Sequence, residues 1–366
     1  MKLKGKIPMR LLDFYIMRKF LSTFLLAISL IIIIVIIFDI SENVDDFVDK
    51  QAPLSEIIFV YYLNFIPYFA NLFSALFTFI AVIFFTAKMA AQSEIIAILN
   101  SGVSFRRLLL PYMVSALLIA CMSLYLANFL IPITNKNRLV FVNKYIKNKY
   151  NNTNRNIHMQ IAPGTFAYVE SYNVDIDMGY SFTLEKFNHD VLYYKLAANN
   201  IQWDSIRSCW RLQDYSIRLI NGMQEKMISG ATMDTVIPLK PADFYKKTDN
   251  IDLMKYGELT EFIEQEKLKG SEMVTFFEVE KHKRIAFPFA SLVLTLIGVS
   301  VSSRKVRGGI GLHIAFGLSV TFAFILFQRI TETFAIYSNW PPGLAVWLPN
   351  IIFGLFGLYL LRRAPK

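Results

Sequence analysis

Charge is scarce in this chain. Only 18% of its 366 residues are Asp, Glu, Lys or Arg, against 54% hydrophobic and 15% aromatic. That balance is too apolar for an ordinary soluble domain, in which about a quarter of residues are charged. Cysteine is scarcer still: Cys121 falls in an apolar run and Cys209 in a polar segment. The two share no environment in which to pair, and cysteine usage says nothing about compartment. No G-x-x-x-x-G-K-[ST] occurs, which excludes a P-loop ATP site; the glycines of "RKVRGGIGLH" lack that spacing. His158, His189, His282 and His313 are scattered without metal-ligand spacing, and His282, in "VEKHKRIAFP", reads as a headgroup-facing residue. Neither G-x-S-x-G nor a catalytic Cys/His pairing offers a nucleophile. These absences predict a non-catalytic chain that binds no cofactor or metal of its own.

What the chain does have is apolar blocks. Six stand out: Phe20–Phe38, Ile57–Ala87, Leu108–Ile133, Ile285–Val301, Ile310–Phe327 and Leu344–Leu361. Each is close to, or longer than, the roughly 20 residues that cross a bilayer. The second is longer than one span needs, and Pro67 near its start suggests a kink or a helical lead-in. The first reads as a retained helix, because no small-x-small cleavage site follows "IIFDISEN". No block contains an acid. A secondary carrier would call for an intramembrane ionisable residue and an internal repeat, and neither is found.

Orientation follows from Lys and Arg in the short loops. Lys2, Lys4, Lys6, Arg10, Arg18 and Lys19 precede the first span; Lys88, Arg106 and Arg107 bracket the loop after the second. Arg304, Lys305 and Arg307 fill the turn after the fourth, and Arg362, Arg363 and Lys366 close the chain. The loop after the first span is acidic instead, with Asp39, Glu42, Asp45, Asp46 and Asp49 against Lys50. The alternation predicts both termini inside and the long segment Thr134–Arg284 outside. The net charge of +10 is mostly this topology signal, so no nucleic-acid partner is needed to explain it.

The outer segment opens with basic residues (Lys136, Arg138, Lys144, Lys147, Lys149, Arg155) and no acid. Short β-like runs follow: "TFAYVES", "YSFTLEKF", "VLYYKLAA" and "CWRLQDYSIRLI", the last alternating Tyr215, Ile217 and Leu219 with polar neighbours. They predict an antiparallel sandwich or roll. In "DLMKYGELTEFIEQEKLKG", Leu259, Phe262 and Ile263 have helical spacing that stops at Gly270. The expected domains are residues 1–133 with three spans, 134–284 with the β-domain, and 285–366 with three more.

The loop between the second and third blocks, "SEIIAILNSGVSFRRLLL" (93–110), is unusual. On a helix, Ile95, Ile98, Leu99 and Gly102 share a face, Ser93 suits an N-cap and Gly102 a stop. Glu94, at the positive end of the helix, is the only acid between Glu56 and Glu170. Two readings fit. One is an interfacial helix on the inner leaflet, although such helices normally carry Lys and Arg along the polar face. The other is a helix docking into a groove on another protein, its acid meeting a base there.

Here the chain resembles a known family. "QSEIIAILNSGVSFRRLL" looks like the coupling helix of the LptF/LptG permeases, membrane subunits of the lipopolysaccharide-export ABC transporter. "LDFYIMRKF" resembles that family's first-helix entry, and "FFEVEKHKRIAFPFASLVLTLIGV" (276–299) its return into the membrane. "NWPPGLAVWLPNIIFGLFGLYLLRR" (339–363) resembles its last helix, closer to the LptG type, and "WRLQDY" (210–215) its Trp-containing strand. Order and spacing over nearly the whole chain carry the likeness.

The resemblance implies an α+β membrane protein of the bacterial inner membrane, with six transmembrane helices and a periplasmic antiparallel β-jellyroll between helices 3 and 4. It implies pairing with a second LptF/LptG-type subunit and drive by a cytoplasmic LptB-type ATPase dimer, which would use the ATP and Mg. Lipopolysaccharide, taken from the outer leaflet, would pass to LptC-type and LptA-type bridge proteins. Glu94 would meet a base in the ATPase, with Ile95, Ile98, Leu99 and Gly102 completing a coupling helix at about 92–102. Lys136 and Arg138 would contact lipid phosphates; the plainer reading is solvated charge or ordinary headgroups. Ile32, Ile36, Phe322 and Phe324, in spans one and five, would line the lipid cavity or simply face lipid. The chain departs from the family at the outer ends of spans one and two, where it has Phe38–Asp39 and Pro67–Tyr68 in place of basic residues. The alternative is a membrane-anchored scaffold whose outer domain binds a partner without transport.

Overall fold

A computed structural model describes residues 11–146, 155–173, 176–189, 191–244, 251–271, 273–304, 309–338 and 340–363. Of the basic residues used for orientation, Lys2, Lys4, Lys6, Arg10, Lys305, Arg307 and Lys366 lie outside the described residues, as do Lys147 and Lys149 of the outer segment.

The helices are α1 (Leu11–Asp49), α2 (Leu54–Glu56), α3 (Leu63–Ala91), α4 (Glu94–Asn100), α5 (Phe105–Tyr125), α6 (Ile131–Tyr145), α7 (Tyr256–Leu268), α8 (Val274–Ser302), α9 (Gly309–Tyr337) and α10 (Pro342–Arg362). Continuous apolar sequence in a bilayer must satisfy its backbone within the segment, which selects helix. π-helical turns at Ile57–Tyr62 and Leu126–Leu130 join α2 to α3 and α5 to α6, so among the described residues six helices are long and apolar enough to cross a membrane. The lead-in expected before Pro67 is the first of these turns. Several helices outrun their apolar blocks: α1 has 39 residues, about 58 Å at 1.5 Å per residue, against a hydrocarbon core of about 30 Å.

The chain divides into two compact units, one running to Phe141 and resuming at Glu278, the other Val142–Phe277. In the first, α3 is the central helix. One of its faces (Ala81, Val82, Phe85, Met89) joins a cluster with Ile16 and Phe20 of α1, Ile95 of α4, and Phe105, Leu108 and Tyr112 of α5. Another (Ala75, Phe79, Ile83) joins Ala290, Leu294 and Ile297 of α8 and Phe324 of α9. By contrast α1 buries only Asp13, Ile16, Phe20, Ile28 and Phe47. Its exposed Leu30, Ile33, Ile34 and Ile37 suit a lipid environment, which is as apolar as they are.

The second unit holds a six-stranded antiparallel sheet: β1 (Arg155–Ala162), β2 (Thr165–Asn173), β3 (Met178–Asn188), β4 (Val191–Asp204), β5 (Cys209–Asn221) and β6 (Gln224–Thr235). The strands pair in chain order, an up-and-down meander whose connectivity is simpler than the Greek-key crossings of a jellyroll. Val169, Phe182, Leu184, Leu196, Ile201, Trp210 and Leu212 turn to one face and are covered by Ile237, Leu239 and Phe244. The helix expected before Gly270 is α7; Leu259 and Ile263 are buried against Phe277, and Gly270 (φ +67°) ends it in the left-handed conformation. Both cysteines are free.

On this sheet the Asp234 carboxylate accepts from Arg211 at 3.0 Å and Arg207 at 3.3 Å, and the Arg211 hydrogen bond holds its pKa below the ordinary carboxylate value. A depressed folded-state pKa adds stability above the unfolded value, about 3.9, and that stability is lost as pH falls through the lower folded value. Asp234→Asn is therefore expected to lower the unfolding temperature slightly at neutral pH. The difference from wild type should begin to shrink as pH drops below about 4 and vanish once pH is below the depressed folded value; a difference that persists there would contradict the ion-pair origin.

Candidate functional site

Three groups of side chains come together in the membrane unit. The first surrounds α4. After α3 ends, Ser93 stands at the N-cap position of α4, its carbonyl accepting from the Ala97 N–H at 3.0 Å, but in a left-handed conformation (φ +62°) and with no hydrogen bond from its hydroxyl to the helix. Gly102 (φ +87°) closes the helix, its N–H donating to the Leu99 carbonyl at 3.0 Å. The face carrying Ile95, Ile98 and Leu99, expected to meet a partner, points into the chain's own core. Ile95 is 1% exposed, and Ile98 and Leu99 pack partly buried against the same cluster. The reason is energetic: three aliphatic side chains beside an apolar core gain more by joining it than by waiting in water. Ser93, Ile96, Ala97 and Asn100, at i, i+3, i+4 and i+7, form the exposed face instead, with Ile96 46% exposed. Glu94 is half-buried at its edge and accepts from the Tyr15 hydroxyl at 3.4 Å.

Beside α4, Ser104 caps α5 by accepting from the Arg107 N–H at 3.4 Å. The Arg107 guanidinium crosses to α1, donating to both carboxylate oxygens of Asp13 at 2.7 and 2.5 Å. Asp13 is 2% exposed.

The second group lies at the opposite end of α1. Asp39 accepts from the hydroxyls of Tyr61 and Tyr62, each at 3.0 Å. Arg138 of α6 acts on Asp39 through space and lies 5.5 Å from the centre of the Phe65 ring, in cation–π contact. Lys136 is exposed, whereas Arg138 is half-buried. The acid at the end of span one is thus hydrogen-bonded by two tyrosines of its own chain.

The third group is the α9 face. Phe324 is 3% exposed and edge-on to Phe353 of α10, ring centroids 5.2 Å apart. It packs in the helix core of this chain, turned about 160° from the exposed Phe322 two residues earlier. Ile32 and Ile36 are half-buried, and Ile33, Ile34 and Ile37 form the open face of α1. Along α9, Leu326, Arg329, Ile330, Thr333, Phe334 and Tyr337 border a groove of about 360 Å³. Arg329 is fixed by Glu332 at 3.2 Å; Glu332, 5% exposed, also accepts from Gln328 at 2.9 Å and lies 3.9 Å from Lys283, itself 2.9 Å from Glu280.

Asp13, Lys283, Arg329 and Glu332 lie just outside the apolar blocks, so a reading by blocks passes over them. The available signal was spacing: Glu280/Lys283 and Arg329/Glu332 are i,i+3 pairs, which meet on a helix. Among the described residues no group of three or more His, Cys, Asp or Glu could hold a metal ion.

Comparison with known families finds one described as "Lipopolysaccharide export system permease LptF/LptG", which matches residues 14–363, nearly the whole chain. No curated protein matches the sequence.

Proposed function

The chain belongs to the LptF/LptG family of lipopolysaccharide-export permeases, and from that premise we propose that it is the membrane half of an ATP-driven exporter, coupled to its ATPase through the outward face of α4. Six membrane-crossing helices and the family together fit a multi-pass inner-membrane protein. The reading adds that both termini and α4 are cytoplasmic and the β-domain periplasmic, as the basic loops suggest. A second permease chain completes the lipid cavity, and a cytoplasmic ATPase dimer supplies the ATP and Mg chemistry. The β-domain hands lipopolysaccharide to periplasmic bridge proteins.

One observation carries this reading. α4 is sunk into the core along Ile95, Ile98 and Leu99, yet keeps Ile96, Ala97 and Asn100 open, with Glu94 alongside. A seven-residue helix with one face anchored and an uncharged face exposed can receive a push and pass it inward. A freely floating interfacial helix cannot. Lipid headgroups are proposed to meet Lys136 and Arg138, and acyl chains Ile33, Ile37, Phe322 and the α9 groove.

The test is co-purification of a cytoplasmic ATPase with the full chain and its partner permease. Ile96→Asp places a charge in the docking face and is expected to weaken capture by at least about tenfold, the loss of roughly 1.4 kcal/mol. Glu94→Ala is expected to reduce stimulated hydrolysis. Ile95→Asp serves as the inner control and should lower chain stability. If the ATPase is absent, or ignores both outer substitutions, the scaffold reading replaces the exporter reading.

A further inference from the structure

We infer that Asp13 and Arg107 clamp α1 to the start of α5, directly after α4, while Tyr15 ties α1 to Glu94 of α4, so that α1 moves with the α4–α5 turn and carries its displacement across the membrane, with Asp39 and its two tyrosines holding the other end of its apolar stretch. The inference rests on α4 as the coupling surface and names the residues that transmit from it.

At the α4 end, three contacts converge on the first turns of α1. Arg107 binds both carboxylate oxygens of Asp13. Tyr15 donates to Glu94 on α4 itself. Ile16 and Phe20, both fully buried, share one cluster with Ile95, Phe105 and Leu108. Apolar packing alone is non-directional and lets helices slide, whereas a forked guanidinium–carboxylate pair fixes both distance and angle. With Asp13 2% exposed, breaking the pair would strand a buried charge, so the clamp resists opening.

At the far end, Asp39 takes two tyrosine hydroxyls from the start of the second span. Between Asp13 and Asp39 lie about 39 Å of continuous helix. Over that length α1 buries only Ile16, Phe20 and Ile28. A rod held at both ends and bare along most of its side transmits displacement while presenting a changing surface to lipid.

The test uses the full permease complex with its ATPase in proteoliposomes, measuring ATP hydrolysed and lipopolysaccharide moved. Arg107→Lys keeps the charge but loses the fork, Asp13→Asn loses the charge, and Asp13→Arg with Arg107→Asp reverses the pair. Both single variants are expected to hydrolyse ATP at close to the wild-type rate while lipopolysaccharide moved per ATP falls about tenfold or more, a coupling loss of ordinary size. The reversed pair should recover most of it. Equal loss of hydrolysis and transport, or unchanged transport per ATP in both single variants, would overturn the clamp. If Asp13→Asn fails to assemble, Arg107→Lys decides alone. A wild-type complex without ATPase, or an Ile96→Asp complex that hydrolyses and transports normally, defeats the coupling reading and the clamp with it. The clamp variants cannot produce that pattern.

Discussion

Trp210→Ala is expected to unfold the β-domain at temperatures where the membrane helices stay folded. Trp210 is fully buried at the start of β5, and its Nε1–H donates to the Leu239 carbonyl at 2.7 Å. Its ring meets Trp203 at 5.1 Å and Phe244 at 6.0 Å between centroids, so it ties the sheet to the segment that covers it. Truncating a buried Trp costs about 3–5 kcal/mol. The stranded Leu239 carbonyl adds a desolvation cost of about 1–3 kcal/mol. Together they approach the whole stability of an ordinary domain, about 5–15 kcal/mol. Trp210→Phe keeps most of the packing and loses the donor, so its effect should be smaller. Protease sensitivity across residues 155–235 of the full chain, followed against temperature, reads both. A Trp210→Ala chain as resistant as wild type would show that the covering segment is held some other way.

Gly317→Leu is expected to separate α9 from α3. A Cβ built at Gly317 collides with the Cδ1 of Ile83, which is 2% exposed and would have to shift. Gly298 is tight in the same way, its added Cβ falling 2.9 Å from Val82 Cγ1. α3 is therefore approached by α8 and α9 at glycines, the usual device for close helix packing in lipid. Overpacking typically costs about 1–3 kcal/mol, and a whole leucine at a helix crossing belongs at the upper end or beyond. Gly311→Leu is the internal control, since nothing lies within 4 Å of its added Cβ. The measurement is thermal unfolding in nanodiscs, with Gly317→Ala alone and combined with Ile83→Ala. The pair should regain stability that Gly317→Ala loses. Equal melting of the Gly317→Leu and Gly311→Leu chains would refute a glycine-dependent crossing.

The sheet shows where sequence reading stops. β2, β3, β4 and β5 all overlap runs legible as strands, because each alternates or concentrates residues that the core takes up. β1 and β6 were not legible. β6, "QEKMISGATMDT", is an edge strand whose residues are almost all exposed. With no buried face there is no period to read, and only pairing to β5 makes it a strand. Length and apolarity likewise place six spans, but hydropathy blocks end where the hydrocarbon does and the helices run on. That is why Asp13 and Glu332, both inside helices and buried, were not expected there.

α4 is the sharpest case. Sequence alone determined that a short helix with one apolar face and one acid lies between two spans, since periodicity is a local property of the chain. Which way that face turns was decided by tertiary structure. Ile95, Ile98 and Leu99 would satisfy a partner's groove or the chain's own core equally well on composition. Ile16 and Phe20 of α1, some eighty residues earlier in the chain, supply the apolar surface that takes them inward. The same holds for Arg107, whose partner Asp13 is 94 residues away. Charge and hydropathy along a chain specify what each segment can do. Only the packing of distant segments chooses which of those options is used, because burial and ion pairing are free energies of contact, and contact is made in three dimensions.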